Sequence, residues 1–225
     1  TSVTGVQTCA LPIFFSQNTI IPEFHAYRSE RLEVYDTASD LVILDFDKNS
    51  VNTSSLVSGD QTLETFPVFS ADGKSVYYCA APQLPLPDSI RSLRYSLMRI
   101  GFDEKSGQFG NKIDTILSAN SLQQSVSFPK VSPNGRFLLF CVSDYGTFPI
   151  WHNETDLRML DLKTGGVDSL KQVNTWYSDS YHSWSSESRW FVFASKRDNG
   201  IYGKPYFSYI DNNGVASKPF VLPQK

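Results

Sequence analysis

The chain has 225 residues, 40% hydrophobic and 19% charged, so it carries enough apolar side chain for a packed core and is not composed like a disordered polymer. Aromatics reach 14%, with 16 Phe, 11 Tyr and 4 Trp, side chains that suit pleated, half-buried surfaces. A net charge of −3 spread along the chain excludes a basic stripe for nucleic acid, and no apolar run is long enough to span a bilayer as a helix.

The first residues, VTGVQTCALPI over 3–13, resemble the translation of a sequencing-library adapter. Residues 1–13 are therefore set aside from the fold, as an expression scar would be. The native N-terminus is then expected to be missing, and Cys79 and Cys141 become the two cysteines to explain. Residues 14–27 are expected to form an irregular lead-in. Glu30–Tyr35 and Asp40–Asp47 next predict the second and third strands of a sheet that lacks its first.

Three later segments align without gaps: FPVFSADGKSVYYC (66–79), FPKVSPNGRFLLFC (128–141) and YHSWSSESRWFVFA (181–194). They recur roughly 50–60 residues apart, longer than the ~40–45 of a WD-type blade, so inserted loops must take up the excess. Each opens on an aromatic, reaches Ser70, Ser132 or Ser185, turns, and enters an apolar run. Asp72 with Gly73, and Asn134 with Gly135, supply positive φ between two strands. The serine hydroxyls can bond their own backbone at the turn. The third copy has Glu187 and Ser188 at the turn, a weaker signal. The runs Val76–Cys79, Leu138–Cys141 and Phe191–Ala194 predict strands covered on both faces.

The second half of each unit recurs too. Leu97–Asp103, Leu157–Asp161 and Tyr206–Asp211 are strand-like and end in Asp before a Gly turn. Their recurrence, with Asp45, points to a turn-capping role for these acids. Short fourth strands are predicted at Lys112–Leu117, Val167–Val173 and Ser217–Leu222. Asp88–Arg99, the obvious helical candidate, has charges on several faces and predicts at most a turn of helix. The unit is thus four antiparallel strands, the blade of a propeller. The fold class is all-β, a partial β-propeller with three four-stranded antiparallel blades plus part of a fourth, at about 28–60 (partial), 61–118, 119–173 and 174–225.

The motif of an aromatic, three residues, Ser, then Asp/Asn-Gly-Lys/Arg and an aromatic-aliphatic strand resembles the repeat of TolB-like propellers, WD-like repeat proteins of the Gram-negative envelope. The resemblance covers about residues 28–225. It implies a periplasmic or envelope location and a non-catalytic module that binds a protein, peptide or glycan. Prolyl-oligopeptidase-like hydrolases and oligogalacturonate lyases carry similar propellers. They supply the alternative, a propeller whose catalytic parts lie outside this chain. Three blades and a partial one do not obviously close a ring, so a longer parent protein is expected.

The extra length falls in connections that emerge on one face: 80–92, 144–155, 174–180 and 196–205. Loops on a rigid scaffold are where binding residues concentrate. The candidate ligand or partner surface is Trp151, His152, Trp176, Tyr177, Asp179, His182, Arg197 and Tyr202, aromatics with a few polar groups. Each is weighed against simple loop packing, and His182 is expected as a structural histidine bonded to Asp179. Cys79 and Cys141 are expected as buried, unbridged thiols. The histidines are His25, His152 and His182, and no Gly-x-Ser-x-Gly elbow, metal-ligand spacing or phosphate loop occurs. No catalytic residue, metal or cofactor is assigned.

Overall fold

Short apolar or alternating runs separated by turn residues satisfy their backbone hydrogen bonds most simply as antiparallel hairpins. The computed structural model describes residues 13–23, 33–45 and 48–222. Within them lie four antiparallel sheets. The first holds β1 (Ile13–Glu23), β2 (Glu33–Asp45) and β3 (Ser50–Asn52) in the order β1-β2-β3. The second runs β4 (Thr62–Phe69), β5 (Ser75–Pro82), β6 (Ser96–Asp103), β7 (Gln108–Leu117). After the single helical turn α1 (Ala119–Leu122) come β8 (Ser125–Val131), β9 (Phe137–Ser143), β10 (Asp156–Asp161) and β11 (Val167–Asp168). The last sheet is β12 (Asp179–Trp184), β13 (Trp190–Ser195) and β14 (Lys204–Tyr209). The bridges Phe207 to Phe220 and Ile210 to Ala216 stand where its fourth strand was expected. The architecture is a partial β-propeller.

Two expectations are corrected. Residues 14–23 are not irregular: they form most of β1, with Ile13 at its start, while residues 1–12 lie outside the described residues. Nor does a separate second strand cover Glu30–Tyr35. Glu33, Val34 and Tyr35 belong to β2, which runs on through Asp45. A bulge makes this possible, because Ala38 pairs with Thr19 but Asp36 with Ile20, leaving Thr37 as the extra residue. The lead-in was hard to read because Ser16 and Asn18, opposite Leu41 and Ser39, dilute the apolar alternation begun by Phe14 opposite Ile43.

The core lies between successive sheets. Leu41 and Ile43 pack with Val76, Tyr78 and Ile100. On the other face of the second sheet, Leu63, Cys79 and Leu97 meet Leu138, Phe140 and Val142. The alternate residues of β9, Leu139 and Cys141, meet Phe191 and Phe193. All seven residues of β9 are buried, which is why its sequence reads as an unbroken apolar run. Both Cys79 and Cys141 are free and buried, and burial pushes the Cys141 thiol up to about 12.

The repeated serines lock their turns. Ser70 Oγ donates to Asp72 Oδ1 at 2.6 Å and accepts from the Ser75 amide at 3.0 Å. Ser132 does the same with Asn134 (2.8 Å) and the Phe137 amide (2.9 Å). In the third copy Ser185 Oγ accepts from the Trp190 amide at 3.1 Å, and Ser188 takes the glycine's place with φ at 58°. Ser188 is held there by accepting the Asn134 amide of the neighbouring blade at 2.9 Å. The recurrent acids cap turns as expected: Asp103 accepts from Lys105, Asp161 from Lys163 and Thr164, and Asp211 from Asn213 and Val215.

The motif's first residue has a backbone that its side chain does not suggest. Phe66, Phe128 and Tyr181 adopt φ of 54°, 51° and 49°, left-handed values that bulky residues rarely take. Each sits at a register shift in the first strand of its sheet. The bulges turn the three rings toward one another: Phe66 and Phe128 lie 4.1 Å apart, Phe128 and Tyr181 5.0 Å.

Candidate functional site

Three long connections come together over the third and fourth sheets. The Thr155 carbonyl accepts from the Asp179 amide (3.0 Å), the Ser178 carbonyl from the Lys196 amide (3.1 Å), and Pro149 O from Ser178 Oγ (2.9 Å). The segments 149–155, 174–180 and 196–200 are thus tied into one surface.

Asp179 and Arg197 form its anchor. Asp179 is fully buried, and its Oδ2 accepts from the Thr175 amide (2.7 Å) and hydroxyl (2.9 Å). Arg197 Nη2 reaches Asp179 Oδ1 at 2.9 Å and the Val173 carbonyl at 2.7 Å, while Nε donates to Ser195 Oγ. The guanidinium lies over the Tyr206 ring at 4.3 Å. Nε and Nη2 of this fork are thus committed to the protein, and the pair ties the connections together.

Both described histidines are buried. His182 is 4% exposed and its Nε2 lies 2.9 Å from the Leu139 carbonyl, with Nδ1 3.7 Å from Cys141 Sγ. Its expected partner, Asp179, is not bonded to it; the backbone of the neighbouring blade is. His152 is buried, with Nδ1 3.1 Å from Glu154 and its ring edge-on to Tyr145 at 4.7 Å. His25 lies outside the described residues.

Burial lowers the His182 pKa to about 4, so the folded state holds it neutral. A histidine with a depressed folded pKa contributes stability above its unfolded pKa near 6.5, lost as pH falls toward 4. Asp156 works the other way. Desolvation, with Asp179 nearby, raises it to about 6, so it contributes stability below that pH. The imidazole resonances of His182 should therefore stay unshifted from pH 8 to pH 5 in an NMR titration. A midpoint near the free-histidine value would show that the ring is not sealed between the blades. Asp156→Asn removes the opposing group and should make the acid loss of stability steeper.

The aromatics divide differently. Trp151 is 45% exposed, Trp176 91% and Tyr202 70%. Tyr177 is half-buried against Gly200, where a Cβ would come within 2.7 Å of its ring. Of the eight expected residues, His152, Asp179 and His182 are buried and Arg197 and Tyr177 partly buried, while Trp151, Trp176 and Tyr202 are exposed. Lys196 was missed. It lies beside Trp151, with Nζ 4.5 Å from the ring centroid, and its only sequence signal is adjacency to Arg197. The Pro-rich connection 83–95 is mostly packing: Leu84, Leu86 and Ile90 lie against the core, and Gln83 donates to the Thr37 carbonyl at 2.9 Å.

Among the described residues no cluster of three or more His, Cys, Asp or Glu is placed to hold a metal ion, and no helix is long and apolar enough to cross a membrane. No family model matches the chain, and no curated protein matches it in sequence. Solved structures do match in shape. A puromycin-hydrolyzing peptidase of Mycobacterium tuberculosis superposes with a TM-score of 0.57 at 16% identity, over 93% of this chain and 31% of that one. An oligogalacturonate lyase in complex with manganese gives 0.54 at 14%, over 83% and 49%. A puromycin hydrolase gives 0.52 at 15%, over 81% and 27%. The chain spans between about a quarter and a half of these proteins, and at such identities what it shares with them is the fold.

Proposed function

We propose that this chain is a propeller module that binds a protein, peptide or glycan through its long-loop face, and that it works in the bacterial envelope. The observation that carries the reading is the exposure of Trp151, Trp176 and Tyr202 on connections tethered by the buried Asp179–Arg197 pair. Large aromatics exposed on tethered connections favour association, because their apolar area is still to be buried and the backbone carrying them is already fixed. The envelope location is supported by the TolB-like repeat motif. Trp151→Ala combined with Trp176→Ala should abolish ligand or partner capture while the far-UV circular dichroism and unfolding midpoint stay unchanged. Undiminished capture by that double variant rejects the face.

The second reading is a propeller that serves a hydrolase or lyase. It is supported, at the level of fold, by the likeness to the peptidase and the lyase, each much longer than this chain. Sequencing the gene beyond both ends separates the two. An α/β-hydrolase domain or further channel-facing histidines favour the enzyme; a signal peptide with additional blades favours the binding module.

A further inference from the structure

Lys196 is 5% exposed, yet its ammonium meets no carboxylate, carbonyl or hydroxyl among the described residues; its recorded neighbour is the Trp151 ring, 4.5 Å away. The acids on this face are engaged elsewhere. Asp179 is held by Arg197 and Thr175, and Asp198 by Lys204 at 2.6 Å and the Tyr206 hydroxyl at 2.6 Å. An ammonium carries three donors, and a single aromatic face satisfies them only weakly. The stem of Lys196 is buried while the ammonium is not sealed from water, and partial desolvation lowers its pKa. This cation has unused capacity for an anionic group.

The surroundings specify the rest of the ligand. Trp151 keeps 45% of its surface open beside the ammonium, and Trp176 and Tyr202, on the adjoining connections, present exposed flat rings. Flat indole and phenol faces suit the apolar faces of sugar rings. A polyacidic peptide would need several cations, whereas Arg197 and Lys204 are already paired here. We propose that Lys196 and Trp151 form a subsite for a carboxylate-bearing sugar unit, with the ring against the open part of the indole and the carboxylate on the ammonium. The proposal rests on the long-loop face being the binding surface, and it adds the chemical class of the ligand.

The test uses the full 225-residue chain and ligand-observed NMR titrations of glucuronate and of glucose, which differ at this point only in the carboxylate. Glucuronate should bind roughly tenfold more tightly than glucose, about 1.4 kcal/mol. Lys196→Met, which keeps the buried stem, should reduce glucuronate to the level of glucose, and Lys196→Arg should keep most of the preference. Equal binding of the two sugars, both lost in Trp151→Ala, overturns the anionic subsite while leaving the aromatic face intact. Sugar binding indifferent to Trp151 and Trp176 overturns both. A preference that survives Lys196→Met in folded protein, no glucuronate binding at millimolar concentration, or tighter binding of a capped aspartyl peptide than of glucuronate also overturns the proposal.

Discussion

Asp179→Ala should lower the unfolding free energy by roughly 3–5 kcal/mol, the cost of breaking a buried ion pair from one side. The carboxylate is fully buried and engages three donors: the Thr175 amide, the Thr175 hydroxyl and Arg197. Removing it leaves a guanidinium with 17% of its side chain exposed facing unpaired donors in a site shaped for an anion. Arg197→Met should be damaging for the mirror reason, since it strands the carboxylate. Asp179→Asn keeps one acceptor for Thr175 and should cost less than Asp179→Ala. Combining Asp179→Asn with Arg197→Met should recover part of the loss, because neither partner is then a buried, unmatched charge. Urea titrations of the four variants supply the comparison. A loss below about 1 kcal/mol for Asp179→Ala would mean that the exposed aromatics are held by something other than this pair. The same variant should speed amide exchange across 174–178 before it affects β9, since the pair ties that connection and not the central core.

This pair also shows where reading the chain stops short. Asp179 and Arg197 were legible as polar residues on long connections, and so they looked like ligand contacts. Nothing in their spacing tells that one caps a tight turn while the other reaches across to it. His182 followed the same course: a structural histidine was readable, but its partner is the Leu139 carbonyl of the preceding blade and not Asp179. What the sequence did carry was everything set by local periodicity and turn chemistry. The Ser70 and Ser132 turns, the unbroken apolar run of β9 and the capping acids are consequences of residues only a few positions apart. The lead-in strand was lost for a local reason as well, since Ser16 and Asn18 break the pattern that a strand facing a core normally displays. Lys196 was invisible because a lysine beside an arginine is ordinary. Its burial depends on Trp151, which lies in the preceding blade.

Phe128 is the position where local preference and the structure disagree most, and its substitutions should reverse an ordinary ranking. In an extended strand, Gly is normally worse than Ala by about 0.5–1 kcal/mol. Phe128 has φ at 51°, a conformation that costs an L-residue roughly 1–2 kcal/mol and glycine almost nothing. Phe128→Ala should retain that cost and lose the ring contacts to Phe66 and Tyr181, for a destabilisation of about 3–4 kcal/mol. Phe128→Gly loses the same contacts but relieves the backbone, so it should be the less damaging of the two by about 1 kcal/mol. Both should shift the denaturation midpoint at an unchanged slope. If the alanine variant proves the more stable, the bulge does not hold Phe128 in the left-handed region. The three in-phase aromatics would then be ordinary strand residues, and the feature that turns them toward one another would be gone.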